Sequence, residues 1–179
     1  SYKSESFISK FGIDNNIDIN LKNLNSIGKN SDYKSSPQSE IISILSLNSS
    51  LPLEKVDNIY HSFLTPKASL RINPSDMKNY STSNKKIDVG NIFNLNRLGL
   101  SDTHEAGRSL TLGVDYKKEK ISRKNSGLKE LETINKYFEL SLATVLRDKE
   151  ENSIPKSSTL NRKNSNFFGS LDGNLSENF

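Results

Sequence analysis

Apolar and polar residues alternate along most of the chain with a period of two. From Phe7 the odd positions are mostly apolar, whereas the even positions from Lys10 to Lys22 are Lys, Gly, Asp and Asn. A helix repeats its apolar residues about every 3.6 positions, but a strand with one wet face repeats them every second position. Asn and Asp also weaken a helix interior. The pattern therefore predicts a strand over about Ser6–Leu24.

The same alternation recurs in five further segments. Pro66 lies inside the second of them and predicts a bulge or a locally missing bond, because proline has no N–H to donate to a strand ladder. The five further predicted strands are about Ile41–Leu51, Tyr60–Asn73, Ser109–Glu119, Tyr137–Arg147, and Phe167 to the chain end.

Long and shorter connections alternate between these strands. The long ones are Asn25–Pro37, Pro74–Arg108 and Asp148–Lys163, and the shorter ones are Pro52–Ile59 and Lys120–Lys136, the latter with a turn at Ser122–Gly127. Outer-membrane β-barrels combine alternating segments of about 10 residues with long outside loops and short periplasmic turns. We therefore expect an all-β fold, an antiparallel meander of about six strands that forms an incomplete segment of a transmembrane outer-membrane β-barrel.

Composition narrows the class of protein. Only 32% of the 179 residues are hydrophobic and the mean hydropathy is −0.64, whereas soluble domains carry about 45–50% apolar residues. A disordered chain, a polar β-solenoid and a barrel with a wet inner wall remain. A net charge of +4 is small for charge-driven disorder. A solenoid would need a repeat of fixed period, and the sequence has none.

Charge and residue usage exclude several functions. The basic residues are scattered among Ser, Asn and acids, so the pI of about 9.1 does not indicate nucleic-acid binding. The chain has no Cys, which excludes disulfides and thiolate metal sites. It contains no Gly-rich phosphate loop and no Ser/His/Asp spacing, so we expect no enzyme, no cofactor and no metal. His104 has Asp102 and Glu105 beside it, but we interpret it as a solvated loop histidine.

The segment from Asn91 to Gly113 resembles a known family. In the LptD family an Asn-Leu-Phe element precedes Asn-Arg-Phe, a Gly, Asp-Arg and a strand of the type Leu-Thr-Leu-Gly. Leu98 and Thr103 depart from that pattern, and Leu64-Thr-Pro-Lys67 is similar to the family's Leu-Glu-Pro-Arg strand. The resemblance covers about Ile59–Leu171. The matching positions are Asn91, Phe93, Asn96, Arg97, Gly99, Asp102, Gly107, Leu110, Thr111, Leu112 and Gly113.

The resemblance implies a non-catalytic transporter of the Gram-negative outer membrane. Such a barrel is plugged by an LptE-like lipoprotein, receives lipopolysaccharide from an LptA-like periplasmic bridge, and releases it into the outer leaflet. Six strands cannot close a barrel, since the smallest class has about 8. We therefore expect residues 1–179 to be part of a single LptD-like barrel domain, with the periplasmic jellyroll not represented and the bridge bound by regions outside this fragment.

The polar positions of the strands are candidates for the lumen wall, and the opposite faces would meet membrane lipid. A general porin, a nutrient receptor and an exported β-rich adhesin remain alternatives on the strand pattern alone. The candidate lumen-facing residues are Asp14, Asp18, Lys67, Arg71, Asp115, Lys117 and Glu139.

The long segment Pro74–Arg108 is predicted to be a structured extracellular loop. It mixes apolar anchors with charges and glycines, which a flexible linker would not need. We expect Arg97 to pair with Asp102 or another carboxylate, with Gly99 and Gly107 supplying turn conformations. Residues Asp76–Lys86 lack such anchors and are expected to be the mobile part.

Overall fold

A computed structural model describes residues 1–26, 38–126 and 129–174. These residues form one antiparallel sheet of nine strands, with a single 3₁₀ turn at Lys156–Ser158. Among them, no helix is long and apolar enough to cross a membrane. The strands are β1 Tyr2–Lys3, β2 Phe7–Ile8, β3 Asp14–Ser26, β4 Gln38–Ser50, β5 Leu53–Val56, β6 Tyr60–Asn73, β7 Gly107–Ser126, β8 Lys129–Arg147 and β9 Phe168–Asn174.

The strands follow one another across the sheet as a meander. Their order is β1-β3-β4-β6-β7-β8-β9, with β2 also on β3 and β5 also on β6. All the pairings are antiparallel. The described residues leave the sheet open, because β1 pairs with β3 alone and β9 with β8 alone. The predicted fold class, an all-β antiparallel meander of about six principal strands, is confirmed; β1, β2 and β5 are short additions.

The register gives the sheet two unlike faces, because directly opposed residues of an antiparallel pair lie on the same side. We call the side on which the long loops pack the inner face. It carries buried polar side chains such as Ser69, Arg71 and Thr111. The opposite, outer face carries leucines that are 38% to 68% exposed: Leu45, Leu47, Leu64, Leu70, Leu112, Leu142, Leu146 and Leu171.

The first predicted strand is interrupted, so its prediction as one continuous strand is wrong. Gly12 has a φ of +79°, and its N–H donates to the Ser9 carbonyl at 2.9 Å. The Ser9 hydroxyl accepts from the N–H groups of Phe11 at 3.3 Å and Ile13 at 3.2 Å. This turn folds β2 back onto β3, and it removes Phe11 from the strand.

Pro66 produces no bulge, contrary to one of the two expectations for it. Its register with Val114 is continuous along β6 and β7. On its other side, Pro66 lies between the segments paired with β4 and β5, and its carbonyl accepts from the Leu51 N–H at 3.0 Å. The missing proline N–H therefore faces a gap between two partner strands, where a ladder bond is not required.

The β7–β8 hairpin is longer than predicted. The turn placed at Ser122–Gly127 is wrong, because β7 continues to Ser126 and β8 starts at Lys129. A register shift between Lys120 and Ile121 carries the pairing onward. The polar composition of this segment favoured a turn, whereas the backbone continues both strands. The predicted loop residues 27–37 and the last residues of the sixth strand, 175–179, lie outside the described residues.

Two loops supply the only apolar layer over the described sheet. The β6–β7 loop (residues 74–106) and the β8–β9 loop (residues 148–167) pack on the inner face of β8. Gly113 of β7 lies directly beneath the Phe93 ring, and a Cβ there would approach Phe93 Cζ to 2.8 Å and the Leu142 carbonyl oxygen to 3.0 Å. The buried cluster consists of Ile87, Ile92, Leu98, Leu100, Ala143, Val145, Ile154 and Leu160.

Gly113→Ala is expected to destabilise the protein by about 1–3 kcal/mol, because the added methyl group overpacks the contact between the loop and the sheet. The measurement is urea unfolding of the full-length protein in lipid vesicles. Gly90→Ala is the control, since its Cβ would meet only the Asp88 carboxylate, at 3.3 Å. Equal stability of the two variants would show that Phe93 does not pack on Gly113.

Candidate functional site

A row of inner-face residues crosses five strands at one level of the sheet. The register opposes Asp18 to Ser46, Ser46 to Arg71, Arg71 to Ser109, and Ser109 to Arg147. Ser46, Arg71, Ser109 and Arg147 are each at least 93% buried, because the β6–β7 loop lies over them. The β6–β7 loop therefore packs on this row of side chains.

One carboxylate of the loop, that of Glu105, binds arginines of both the loop and this row. Glu105, 6% exposed, accepts from Arg97 Nε at 2.7 Å and Nη2 at 2.5 Å. Arg147 Nη1 donates to the same carboxylate from β8. Arg97 also donates to Thr111 Oγ1 at 3.0 Å and to Ser109 Oγ at 3.1 Å. We call Arg71, Arg97, Glu105, Ser109, Thr111 and Arg147 the Glu105 cluster.

Backbone groups of the loop are bound by the same strands. Arg71 Nη2 donates to the Asn94 carbonyl at 2.5 Å, and Arg147 Nη2 donates to the Ala106 carbonyl. Asn73 Nδ2 donates to the carbonyls of His104 at 3.3 Å and Glu105 at 3.1 Å. Strands β6, β7 and β8 thus each bind the loop through buried polar side chains on their inner face.

The electrostatics of the cluster favour an ionised carboxylate. Burial by itself raises the pKa of Glu105, but the charges of Arg97, Arg147 and Arg71, with the hydrogen bonds from Arg97, lower that pKa to about 2. The guanidinium groups of Arg97 and Arg147 contact the carboxylate, and Arg71 adds a third positive charge without contacting it. Removing that carboxylate would leave buried positive charges without their counterion, which costs far more than losing an exposed pair.

Arg97 pairs with another carboxylate, Glu105, so Asp102 is wrong as its expected partner. Asp102 instead accepts from Tyr80 Oη at 2.5 Å and from Lys78 Nζ at 3.0 Å. The hydrogen bonds from Tyr80 and Lys78 lower the pKa of Asp102. The hydrogen bond between Tyr80 and Asp102 also raises the pKa of Tyr80. The carboxylate that meets Arg97 lies three residues further on, at the point where the loop returns to the sheet.

The segment Asp76–Lys86 is anchored, which corrects its prediction as the mobile part of the loop. Met77 and Tyr80 pack against the apolar cluster, and the Tyr80 N–H donates to the Ser153 carbonyl at 2.8 Å. Ser157 Oγ donates to the carbonyls of Ser83 at 3.1 Å and Lys85 at 2.8 Å. These hydrogen bonds come from the β8–β9 loop, which is about 70 residues away in the sequence, so the sequence alone did not indicate them.

The family-motif residues build the loop itself. The Asn91 side chain accepts from the Asp88 N–H at 3.0 Å, and Asn96 exchanges two hydrogen bonds with the Leu100 backbone, at 2.8 and 3.1 Å. Gly99 and Gly107 have φ values of +60° and +84°, so they do supply turn conformations. The other motif positions are Phe93 on Gly113, Arg97 in the Glu105 cluster, and Asp102 on Tyr80.

The register places all seven candidate lumen-facing residues on the inner face, where Asp14, Asp18 and Lys67 line one cavity and the other four lie along β6, β7 and β8. Lys117 binds Glu119 at 2.6 Å and Glu139 at 3.1 Å, and Lys67 binds Asp115. Asp18 accepts from Asn48 at 2.9 Å. The seven are Asp14, Asp18, Lys67, Arg71, Asp115, Lys117 and Glu139.

A cavity of about 460 Å³ remains between the inner face and the tip of the β6–β7 loop. Its polar wall includes Asp14, Asp18 and Asn48, and its apolar side includes Phe93. Lys67 Nζ lies 5.7 Å from the centroid of the Phe93 ring. The loop therefore covers part of the inner face and leaves a polar space beside it.

Sequence reasoning missed three of the residues that fix the loop. Glu105 stood inside the motif segment but matched none of its positions, and Arg147 looked like any polar strand residue. His104 is 5% exposed and its Nε2 lies 3.3 Å from Asn20 Oδ1, so its interpretation as a solvated histidine is wrong. Burial and the charge of Lys22 lower the pKa of His104.

Glu105→Ala is expected to destabilise the protein by about 3–5 kcal/mol, because it removes the counterion of buried guanidinium groups. Arg97→Ala is expected to cost less, since Arg147 still neutralises Glu105. Thermal melting of the full-length protein in detergent measures both. The matched control is Lys78→Ala, which breaks an exposed ion pair worth about 1 kcal/mol or less. A Glu105→Ala melting curve like that of the control would contradict the role of the cluster.

The cluster also predicts a pH dependence. Glutamate in an unfolded chain has a pKa of about 4.3, whereas that of Glu105 is lowered to about 2. The stability contributed by such a group is fully present above the unfolded value and is lost as the pH falls through the folded value. The difference in melting temperature between wild type and Glu105→Gln should therefore shrink between about pH 4 and pH 2. A difference that stays constant over this range would exclude an ionised Glu105 in the folded protein.

Comparison with known proteins agrees with the fold and the motif. The sequence matches the family described as LptD, LPS transport system D, over residues 7–179. No curated protein and no solved structure matches the chain. Members of this family are transport components of the outer membrane of Gram-negative bacteria, and the open sheet has the architecture of a segment of a barrel wall. Because the match spans nearly the whole sequence, the chain belongs to the LptD family of lipopolysaccharide transport proteins.

Proposed function

We propose that residues 1–179 form part of the wall of a single LptD-type barrel domain, through which lipopolysaccharide passes to the outer leaflet. The observation that carries the proposal is the contrast between the two faces. Leucines such as Leu70, Leu112 and Leu142 are 40% to 42% exposed on the outer face. A contiguous exposed apolar surface of this kind fits contact with membrane lipid.

The inner face has the chemistry of a hydrated conduit. Its carboxylates, ammonium groups and amides can exchange hydrogen bonds with sugars and phosphates while remaining paired with one another. Six of the seven candidate residues line the lumen in this proposal, whereas Arg71 is buried beneath the β6–β7 loop. Because they are spread along β3, β6, β7 and β8, they offer successive weak contacts and no tight binding site, as a passage requires.

Loop lengths orient the sheet in the membrane. The connections at one end are the β6–β7 and β8–β9 loops, whereas the β5–β6 turn at the other end spans residues 57–59 alone. Barrels have long extracellular loops and short periplasmic turns. The Glu105 cluster then lies at the extracellular end, where it holds the β6–β7 loop over the lumen and narrows the path to the cavity beside Phe93.

The partners follow from the family. An LptE-like lipoprotein would plug the lumen, and an LptA-like bridge would deliver lipopolysaccharide through regions outside residues 1–179. The support within this chain is the polarity of the inner face, which a plug protein and a saccharide can both meet. We propose no catalytic role and no cofactor for it.

Photo-crosslinking in cells tests the conduit. A photoreactive amino acid at Ser50 or Ser170, both on the inner face, is expected to form adducts with lipopolysaccharide. Depleting the periplasmic bridge should abolish these adducts, because they depend on a continuing supply. Leu47 and Leu171 on the outer face are the matched controls, whose adducts with membrane lipid should not depend on the bridge.

Two results would contradict the proposal. One is an absence of lipopolysaccharide adducts at both inner positions in cells that assemble a normal outer membrane. The other is the same dependence on the bridge at inner and outer positions, which would mean that the two faces do not meet different surroundings.

A further inference from the structure

The outer face contains a groove whose two sides differ in chemistry. The groove has a volume of about 460 Å³ and is lined on one side by Leu53, Leu64 and Tyr116. These three residues lie opposite one another on β5, β6 and β7. Tyr116 is fixed by an edge-to-face contact with Phe138, with ring centroids 6.3 Å apart. The apolar side is therefore a preformed strip three strands wide.

The next row of the sheet is basic. Lys55 is opposed to Ser62, and Ser62 to Lys118, so two ammonium groups flank one hydroxyl on adjacent strands. The backbones of the two lysines are roughly 10 Å apart, two strand spacings, and their flexible stems allow both charges to reach one anion above Ser62. Lys118 Nζ lies 4.3 Å from the centroid of the Tyr60 ring, which positions it at the groove.

The two acids that border the groove are engaged elsewhere. Glu54 is paired with His61 on the inner face, and Asp57 Oδ1 accepts the N–H of Asn58 at 2.7 Å in the turn. Two ammonium groups, those of Lys55 and Lys118, therefore face a single carboxylate, that of Asp57 at the turn end of the groove, and positive charge is in excess.

The basic row lies at one end of the apolar part of the outer face. On β6 the apolar outer positions run from Leu64 to Ile72, eight residue steps or about 26 Å along the strand, which is about 20 Å along the membrane normal at a strand tilt of about 40°. Barrels carry an outward apolar band about 25 Å tall, bordered by aromatic residues. Lys55, Ser62 and Lys118 follow immediately beyond Leu64, at the level of lipid headgroups, beside Tyr60.

We propose that this groove binds an anionic glycerophospholipid of the periplasmic leaflet. Its phosphate lies over Ser62 between Lys55 and Lys118, and an acyl chain lies along Leu53, Leu64 and Tyr116. Two lysines at one phosphate favour an anionic lipid over a zwitterionic one, whose own ammonium group they would repel. The assignment rests on the proposed function, because it requires the outer face to meet lipid and the short turns to be periplasmic.

Native mass spectrometry of the full-length protein tests the site, with dioleoylphosphatidylglycerol and dioleoylphosphatidylcholine as probes. The wild-type protein is expected to bind phosphatidylglycerol more tightly than phosphatidylcholine. Lys55→Gln with Lys118→Gln should weaken that binding by roughly tenfold, whereas Lys55→Arg with Lys118→Arg should preserve it. The matched control is Lys156→Gln with Lys163→Gln, which removes the same charge from two exposed positions of the β8–β9 loop.

A wild type without preference for phosphatidylglycerol, or an equal loss in the control pair, overturns the proposal. A spin label at Leu142, in the middle of the outer face, separates this failure from that of the proposed function. If the label is accessible to oxygen but not to a water-soluble nickel complex, the face meets lipid and only the headgroup site is wrong. If the nickel complex reaches the label, both proposals fail.

Discussion

The packing of the β6–β7 loop on the inner face depends on the ion pairs of Glu105 with Arg97 and Arg147. Without the Glu105 carboxylate, Arg97 of the loop and Arg147 of β8 would meet as like charges in a space from which water is excluded. With it, the return of the β6–β7 loop to the sheet is fixed at a single point. The apolar cluster then forms on one side of that point, and the polar cavity remains on the other.

The ion pairs are suited to this position because apolar packing alone could not specify where the loop sits. The outer face offers many exposed leucines, and a loop held only by apolar contacts could pack there as well as on Ala143 and Val145. The bidentate geometry of Arg97 and the donors on Thr111 and Ser109 match one place on the inner face. Specificity is thus obtained from charge, and stability from the cluster of Ile92, Leu98 and their neighbours.

The sequence predicts strands well here and loop contacts poorly, for physical reasons. A period of two is a local property, so β6 was predicted with its observed ends, Tyr60 and Asn73. The pairing of Arg97 is not local, because the carboxylate five residues away and the one eight residues away are equally good partners in composition. Only the fold shows that Asp102 is taken by Tyr80. Likewise the turn at Gly12 depends on a positive φ, which the alternation of Phe11 and Ile13 concealed.

The two faces of the sheet are built from alternate residues of the same strands. At Gly113 the inner face gives up its side chain to admit Phe93, while its neighbours Leu112 and Val114 continue the outer apolar surface. A change that moves the loop therefore need not disturb the outer face, since alternate residues of β7 lie on each side of the sheet. The position of the loop and the apolar character of the outer face therefore depend on different side chains of β7. The Glu105 cluster attaches the β6–β7 loop to side chains of β6, β7 and β8.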